Sequence, residues 1–469
     1  MSQPFDLVVR GGRVAPASGA TTADIGVRAG RIVALGEDLG RAEREIDARG
    51  RLVTPGGVDG HCHIDQPMSD GSEMADDFVS ATRSAAVGGT TTVIPFACQM
   101  KGRSLRAAVT DYHRRADGKA VVDYAFHLIV CDPTASVLGQ ELPALIEEGY
   151  SSFKLYMTYE DLKLNDRQIL DLLALARAER AMAMIHAENT DAIAWLTERL
   201  VAAGEIGPPA HAASRPSVVE REATHRAISL GELVDTPSLI VQVSGADAVA
   251  HIRAARARGL PVHAETCPQY LMLSSDDLER PFPHGAGCIC SPPPRGKSNQ
   301  RAIWAALADG TFDILSSDHA PFRLAGPKGK FVAGADAPFT RVPNGIPGIA
   351  TRLPILLSEG VLQGRITLER FVDLTATNPA KLYGLHPRKG AIMIGADADL
   401  VVWDTETERR VTNDMLHHGA DYTPYEGLAL RAWPEIVTSR GEIVAERGAP
   451  IAATGRGRFL ACERPVGSS

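Results

Sequence analysis

Two histidines separated by one residue close an apolar run in VDGHCHIDQ, residues 58 to 66. Side chains at i and i+2 of a strand share a face, so His61 and His63 would project together into whatever that face encloses. Paired imidazoles are costly in an apolar interior unless satisfied, and useful around a divalent cation. The spacing alone fits both a satisfied core pair and a metal pair. Other apolar runs end on polar or ionisable residues in the same way: Lys154 in SSFKLYM, His186 in AMAMIHAE, Gln242 in SLIVQVS, Glu265 in VHAETC and Asp318 in DILSSDH.

Lys154 is the sharpest anomaly, because a bare ammonium in an apolar strand is heavily penalised. Its side chain either snorkels to a rim or reacts with CO2. The resulting carbamate is a two-oxygen anion able to bridge two metal ions, and oxygen bridging combined with imidazole suits Zn(II) or a similar divalent ion. Asp318 either caps the following helix or binds a metal and takes a proton from the water that the metal activates. Tyr159 follows Lys154 by five residues, where the chain should leave a strand. A phenol there either packs at the rim or donates to a developing oxyanion.

These residues need a scaffold that brings distant strand ends together. Apolar runs at 90–97, 124–131, 151–157, 181–188, 238–244, 262–267 and 313–319 alternate with helix-patterned segments such as DRQILDLLALARAER and GADAVAHIRAARARG. With the run into VDGHCH they make eight strands, the alternation of a (β/α)8 TIM barrel, and strands buried on both faces should be this continuously apolar. The active site of such a barrel lies at the C-terminal strand ends, where the polar residues occur. Both termini differ in rhythm, with short alternating runs cut by Gly-rich turns at 5–54 and again at 386–449. Together they predict a small β-sandwich built from both ends. The expected division is residues 1–54 and 386–469 for the sandwich and tail, and 55–385 for the barrel.

At 469 residues, 44% hydrophobic and 23% charged, the chain has an ordinary globular composition. A net charge of −8 argues against nucleic acid or an anionic membrane as partner, since both need a basic footprint. Seven cysteines, mostly inside apolar runs, suggest a reduced cytoplasmic chain. No signal-like start or long uncharged apolar run is evident.

With these residues assembled, the chain resembles the dihydropyrimidinase/hydantoinase branch of the amidohydrolase superfamily. The resemblance rests on TPGGVDGHCHID, AAVGGTTTVI, SSFKLYMTY, IHAEN, PAHAASRP, EREATHRAI, ETCPQYL, CSPPPR, SSDHAPF, PNGIPGI, NPAKLYGLHPRKGAIMIGADADLVVWD and ADYTPYEG. It implies a barrel with a β-sandwich, two metals bridged by a carboxylated lysine, and hydrolysis of a cyclic amide. His61, His63 and Asp318 would then hold one metal, Lys154 would bridge, and His186 would hold the second. Tyr159 would stabilise the oxyanion, while Ser291 and Asn344 would offer main-chain groups to the ring. The PNG segment looks more like bacterial D-hydantoinases than like allantoinases. Gln242 departs from the pattern, standing where the branch carries a further histidine ligand. A neutral amide oxygen is a weaker donor, so the second site should bind loosely, prefer another metal or stand empty; Gln242 could instead reach the substrate.

The expected reaction is ring opening of a five- or six-membered ureide or imide to a carbamoyl amino acid or half-amide. Asp318 would move the proton, Tyr159 would hold the oxyanion, and the cofactors would be one or two Zn2+ and CO2 carried on Lys154. A homotetramer or dimer is expected, with the insert at 189–237 shaping the pocket. The rival readings are an allantoinase, a cyclic imide hydrolase, or a weakly active or non-catalytic scaffold, the last favoured by Gln242.

Overall fold

The computed structural model describes residues 4–15 and 20–465. Residues 1–3, 16–19 and 466–469 belong to the terminal segments assigned to the sandwich and tail, and lie outside the described residues. Two large sheets carry the architecture, a (β/α)8 barrel and a β-sandwich domain.

The first sheet is assembled from both ends of the chain. Its N-terminal strands are β1 (Phe5–Val14), β2 (Thr21–Arg28), β3 (Arg31–Gly36), β4 (Ala42–Asp47) and β5 (Leu52–Pro55). The barrel strands follow: β6 (Gly57–Cys62), β7 (Thr90–Cys98), β8 (Asp123–Tyr124), β9 (His127–Ile129), β10 (Ser152–Tyr156), β11 (Met182–His186), β12 (Ser238–Ile240), β13 (Val262–Thr266) and β14 (Ile314–Leu315). The C-terminal strands are β15 (Leu400–Asp404), the short pair β16 (Arg409–Arg410) and β17 (Ala429–Leu430), then β18 (Trp433–Ser439), β19 (Glu442–Glu446) and β20 (Ala449–Pro450). β5 and β15 join the two termini antiparallel, from Leu52 opposite Trp403 to Pro55 opposite Leu400.

Barrel strands run parallel in the order β14-β13-β12-β11-β10-β9-β7-β6, with β8 beside β7. A parallel bridge between Cys62 and His319 joins the ends. β10 and β11 are buried along their whole length, as expected for strands covered on both faces. Their residues divide by parity: Tyr156, Met182 and Met184 belong to the inner cluster with Ile94 and Phe96, whereas Leu155, Ala183 and Ile185 pack outward under the helices.

Two local irregularities aim side chains into the mouth. β6 breaks register against β7 between Asp59 and Cys62. Val58 faces the inner cluster, so strict alternation would turn Cys62 inward as well. The break instead leaves Cys62 in the outer cluster and turns His61 and His63 in, a common use of a bulge beside a site. Beyond the strand ends, Tyr159, Gln242 and Asp318 have φ of 69°, 57° and 47°. A left-handed backbone at a non-glycine residue costs of order 1–3 kcal/mol and tends to accumulate where function requires it.

Asp59 fixes the closing seam. Its Oδ1 accepts from the Ser317 amide at 3.0 Å, and the Asp318 amide donates to the His61 carbonyl at 2.9 Å. Behind it, the buried Arg352 guanidinium donates to the carbonyls of Val58 and Leu315, so first and last barrel strands are held by the same cation.

A second buried cation locks sandwich to barrel. Lys389 Nζ lies 2.7 Å from Asp123 on β8, 3.0 Å from Asp397 and 2.8 Å from Asp399. Lys389→Met should leave these carboxylates without their shared counter-ion and lower stability by about 3–5 kcal/mol. Denaturant unfolding checks this, and an unchanged midpoint would refute it.

Candidate active site

His61, His63 and Asp318 form the one cluster among the described residues in which three His, Cys, Asp or Glu side chains offer ligand atoms all within 4.8 Å of one another. His61 Nε2 lies 3.3 Å and His63 Nε2 3.6 Å from Asp318 Oδ1. Both rings are oriented from behind. His61 Nδ1 meets Glu265 Oε1 at 2.6 Å and His63 Nδ1 meets Gln66 Oε1 at 2.7 Å. An acceptor on Nδ1 holds the proton there and turns the Nε2 lone pair toward the cluster, the usual support for an imidazole ligand.

Lys154 lies beneath this cluster with no exposed surface. Its Nζ is 2.7 Å from His61 Nε2 and stands over the rings of Phe96 and Tyr156 at 4.6 and 4.7 Å. It does not snorkel to the rim. Burial pulls its basicity down, opposed by Asp318 and Glu265. Burial also raises the pKa of Asp318 and of Glu265, opposed by Lys154 and by hydrogen bonds. A divalent cation on the same donors would favour both anions. The donor set therefore fits such an ion: two oriented imidazoles, a carboxylate, and an amine whose carbamate would be a further oxygen donor.

His186 and Gln242 stand together on the neighbouring wall. His186 Nδ1 meets Gln242 Oε1 at 2.6 Å, and Gln242 Nε2 donates to Asp318 Oδ2 at 2.7 Å. His186 Nε2 faces Glu188 Oε2 at 2.8 Å, and that oxygen also accepts from Arg215 at 2.8 Å. Burial alone would raise the Glu188 pKa; Arg215 and His186 outweigh it and hold the carboxyl at about 2.

The remaining candidates meet at the opening. Asn344 Nδ2 donates to Ser291 Oγ at 3.1 Å and lies 3.4 Å from the Tyr159 hydroxyl. Burial raises the Tyr159 pKa, which keeps the phenol a donor. His211 Nε2 lies 2.9 Å from the Cys290 carbonyl, beside Ser291. A cleft of about 780 Å³ is lined by His63, Tyr159, His186, Gln242, Ser291, Asp318 and Asn344. His61 and Lys154 lie under its floor.

All the residues singled out in the sequence are thus gathered at one barrel mouth. Sequence reading left out Glu265 as the orienter of His61, the Glu188–Arg215 pair behind His186, and His211. A glutamate ending an apolar strand was a visible signal for Glu265. Glu188 lies two residues after His186, but its pairing with Arg215 and the contact of His211 with Cys290 join residues distant in sequence.

No helix among the described residues is long and apolar enough to cross a membrane. The model of the amidohydrolase family matches residues 52–444. The chain is 41% identical to a D-hydantoinase of Rhizobium radiobacter over 97% of its own length and 98% of that protein. A solved D-hydantoinase from a Bacillus species superposes with TM-score 0.94 at 41% identity, over 97% of this chain and 99% of that one. A dihydropyrimidinase from Brevibacillus agri gives 0.94 at 40%, over 98% and 99%. Members of this family are generally metal-dependent, which agrees with a histidine–aspartate cradle at the C-terminal ends of the barrel strands. By the family match, the full-length relatives and the superposed barrels alike, the chain belongs to the amidohydrolase family.

Proposed function

We propose that this chain is a cyclic amidohydrolase that opens the amide bond of a hydantoin- or dihydropyrimidine-type ureide to a carbamoyl amino acid. The observation that carries it is the His61, His63 and Asp318 cradle on the same cleft as the Tyr159, Ser291 and Asn344 cluster. The names of the full-length relatives support the same class.

His61, His63 and Asp318 would hold a divalent ion, Zn2+ being the natural choice for imidazole and carboxylate. Lys154, carboxylated by CO2, would add carbamate oxygen, and His186 and Gln242 flank the place of any second ion. When bound, the ion supplies Lewis acidity at the scissile carbonyl and makes water a nucleophile near neutral pH. Asp318 accepts the proton of the attacking water and returns it to the leaving ring nitrogen. Tyr159 donates its hydroxyl to the oxyanion, and Asn344 orients that hydroxyl. Ser291 and Asn344 offer main-chain groups to the ring edge.

This reading takes residues 1–54 and 386–469 as the sandwich and tail and 55–385 as the barrel, supported by strands of both termini sharing one sheet. Seven free cysteines support a cytoplasmic setting, and assembly into a dimer or tetramer is part of this reading. A scaffold is disfavoured, because it has no use for a lysine amine buried against an imidazole.

Tyr159→Phe should lower kcat roughly 10²-fold or more with little change in KM. Steady-state kinetics check this; a change in KM alone would make Tyr159 a binding residue. Turnover of hydantoin, dihydrouracil, allantoin and succinimide tests the function itself. Hydantoin or dihydrouracil should open fastest, allantoin or succinimide as the preferred ring would favour the rival enzymes, and no turnover of any ring would end the proposal.

A further inference from the structure

Two ligands of one tetrahedral ion with arms of about 2.1 Å lie about 3.4 Å apart, and in an octahedral set about 3.0 Å. The first cradle has this spacing, with 3.3 and 3.6 Å from the two imidazole nitrogens to Asp318 Oδ1. His186 and Gln242 do not. Their atoms Nδ1 and Oε1 are 2.6 Å apart, which is a hydrogen bond and too close for two ligands of one ion.

Both ring nitrogens of His186 are engaged. Glu188 Oε2 lies 2.8 Å from Nε2 and also meets Arg215 at 2.8 Å. Gln242 Oε1 lies 2.6 Å from Nδ1, and whichever way the amide is turned one of its polar atoms fills that position.

The other end of the amide is also committed, donating to Asp318 Oδ2 at 2.7 Å. The backbone supports this arrangement. Leu239 and Val241 face the inner cluster, so alternation would send residue 242 outward, and a φ of 57° turns it back in.

We propose that Gln242 is a positioning residue that spans His186 and Asp318 by hydrogen bonds in place of a second cation, so that the chain binds one divalent ion per subunit on the His61, His63 and Asp318 cradle. This rests on the hydrolase reading above. A metal-ligand role of Gln242 would instead require both its oxygen and His186 Nδ1 to turn toward a shared ion.

The test is metal content of the whole protein, loaded with Zn(II) and bicarbonate, desalted and measured by mass spectrometry, with Mn(II)-loaded protein examined by EPR. One Zn(II) per chain and an isolated Mn(II) signal are expected. Gln242→His should raise the content to two and give an exchange-coupled signal, and a folded variant that stays at one would overturn the role given to Gln242. His186→Asn guards against a variant that fails to fold. It should leave the content at one, and a fall would make His186 a ligand and overturn the proposal. Two ions in the unmodified protein, with ring opening intact, would overturn this inference and leave the hydrolase reading standing. No bound metal would overturn both.

Discussion

Asp318→Asn is expected to lower kcat/KM for ring opening roughly 10³-fold or more, since in the proposed mechanism one carboxylate would serve as cation donor and as the carrier of the transferred proton. Asparagine keeps the shape and an oxygen toward His61 and His63, so metal content should fall less than the rate does. It cannot accept the proton. The loss should therefore appear in kcat and persist in metal-saturated protein. Its seam contacts are made by backbone, through the Asp318 amide on the His61 carbonyl, so far-UV circular dichroism should be unchanged. A metal-loaded Asp318→Asn enzyme with a rate near that of the parent would remove Asp318 from the proton path.

Lys154→Ala should be the most damaging change to the cradle itself. The side chain is fully buried 2.7 Å from His61 Nε2, where its carbamate would add an oxygen donor beside the imidazoles. Metal content is expected to fall to background and turnover with it, because the parts of such a centre fail as a unit. Short carboxylic acids such as acetate or propionate should partly restore both by entering the space left by the side chain. Mass spectrometry of bound metal, with and without carboxylate, checks this. Full activity and full metal in the variant would show that Lys154 takes no part.

Much of this was legible in the sequence for a definite reason. Barrel strands are buried on both faces, so β7, β10 and β11 read as apolar runs, and any ionisable residue ending one stood out against them. His61, His63, Lys154, His186 and Asp318 were visible in that way. The terminal strands were legible from their alternation and Gly turns, and the pairing of β5 with β15 follows from a sheet needing both ends of the chain. What stayed hidden depends on tertiary partners. Gln242 could be seen as an amide in an unusual place, but the amide's simultaneous hold on His186 and Asp318 needs the inward backbone turn at that residue. The Glu188–Arg215 pair and the contact of Lys389 with Asp123 join residues far apart in the chain. The register break in β6 is likewise invisible in VDGHCHIDQ, although it decides that the histidines face inward while Cys62 faces the helices.

These hidden contacts share a physical role. Glu265, Gln66, Glu188 and Gln242 each occupy one polar position on a histidine ring, and together they determine which nitrogens remain available to a cation. The cradle is therefore specified as much by residues that cannot reach the ion as by those that can.

The most direct test is a crystal of the protein grown with Zn(II) and bicarbonate, examined for anomalous scattering at the zinc edge. A peak is expected within ligand distance of His61 Nε2, His63 Nε2 and Asp318, with planar density for a carboxyl group continuing beyond Lys154 Nζ. A bare lysine amine, with no anomalous peak between those three side chains, would contradict it.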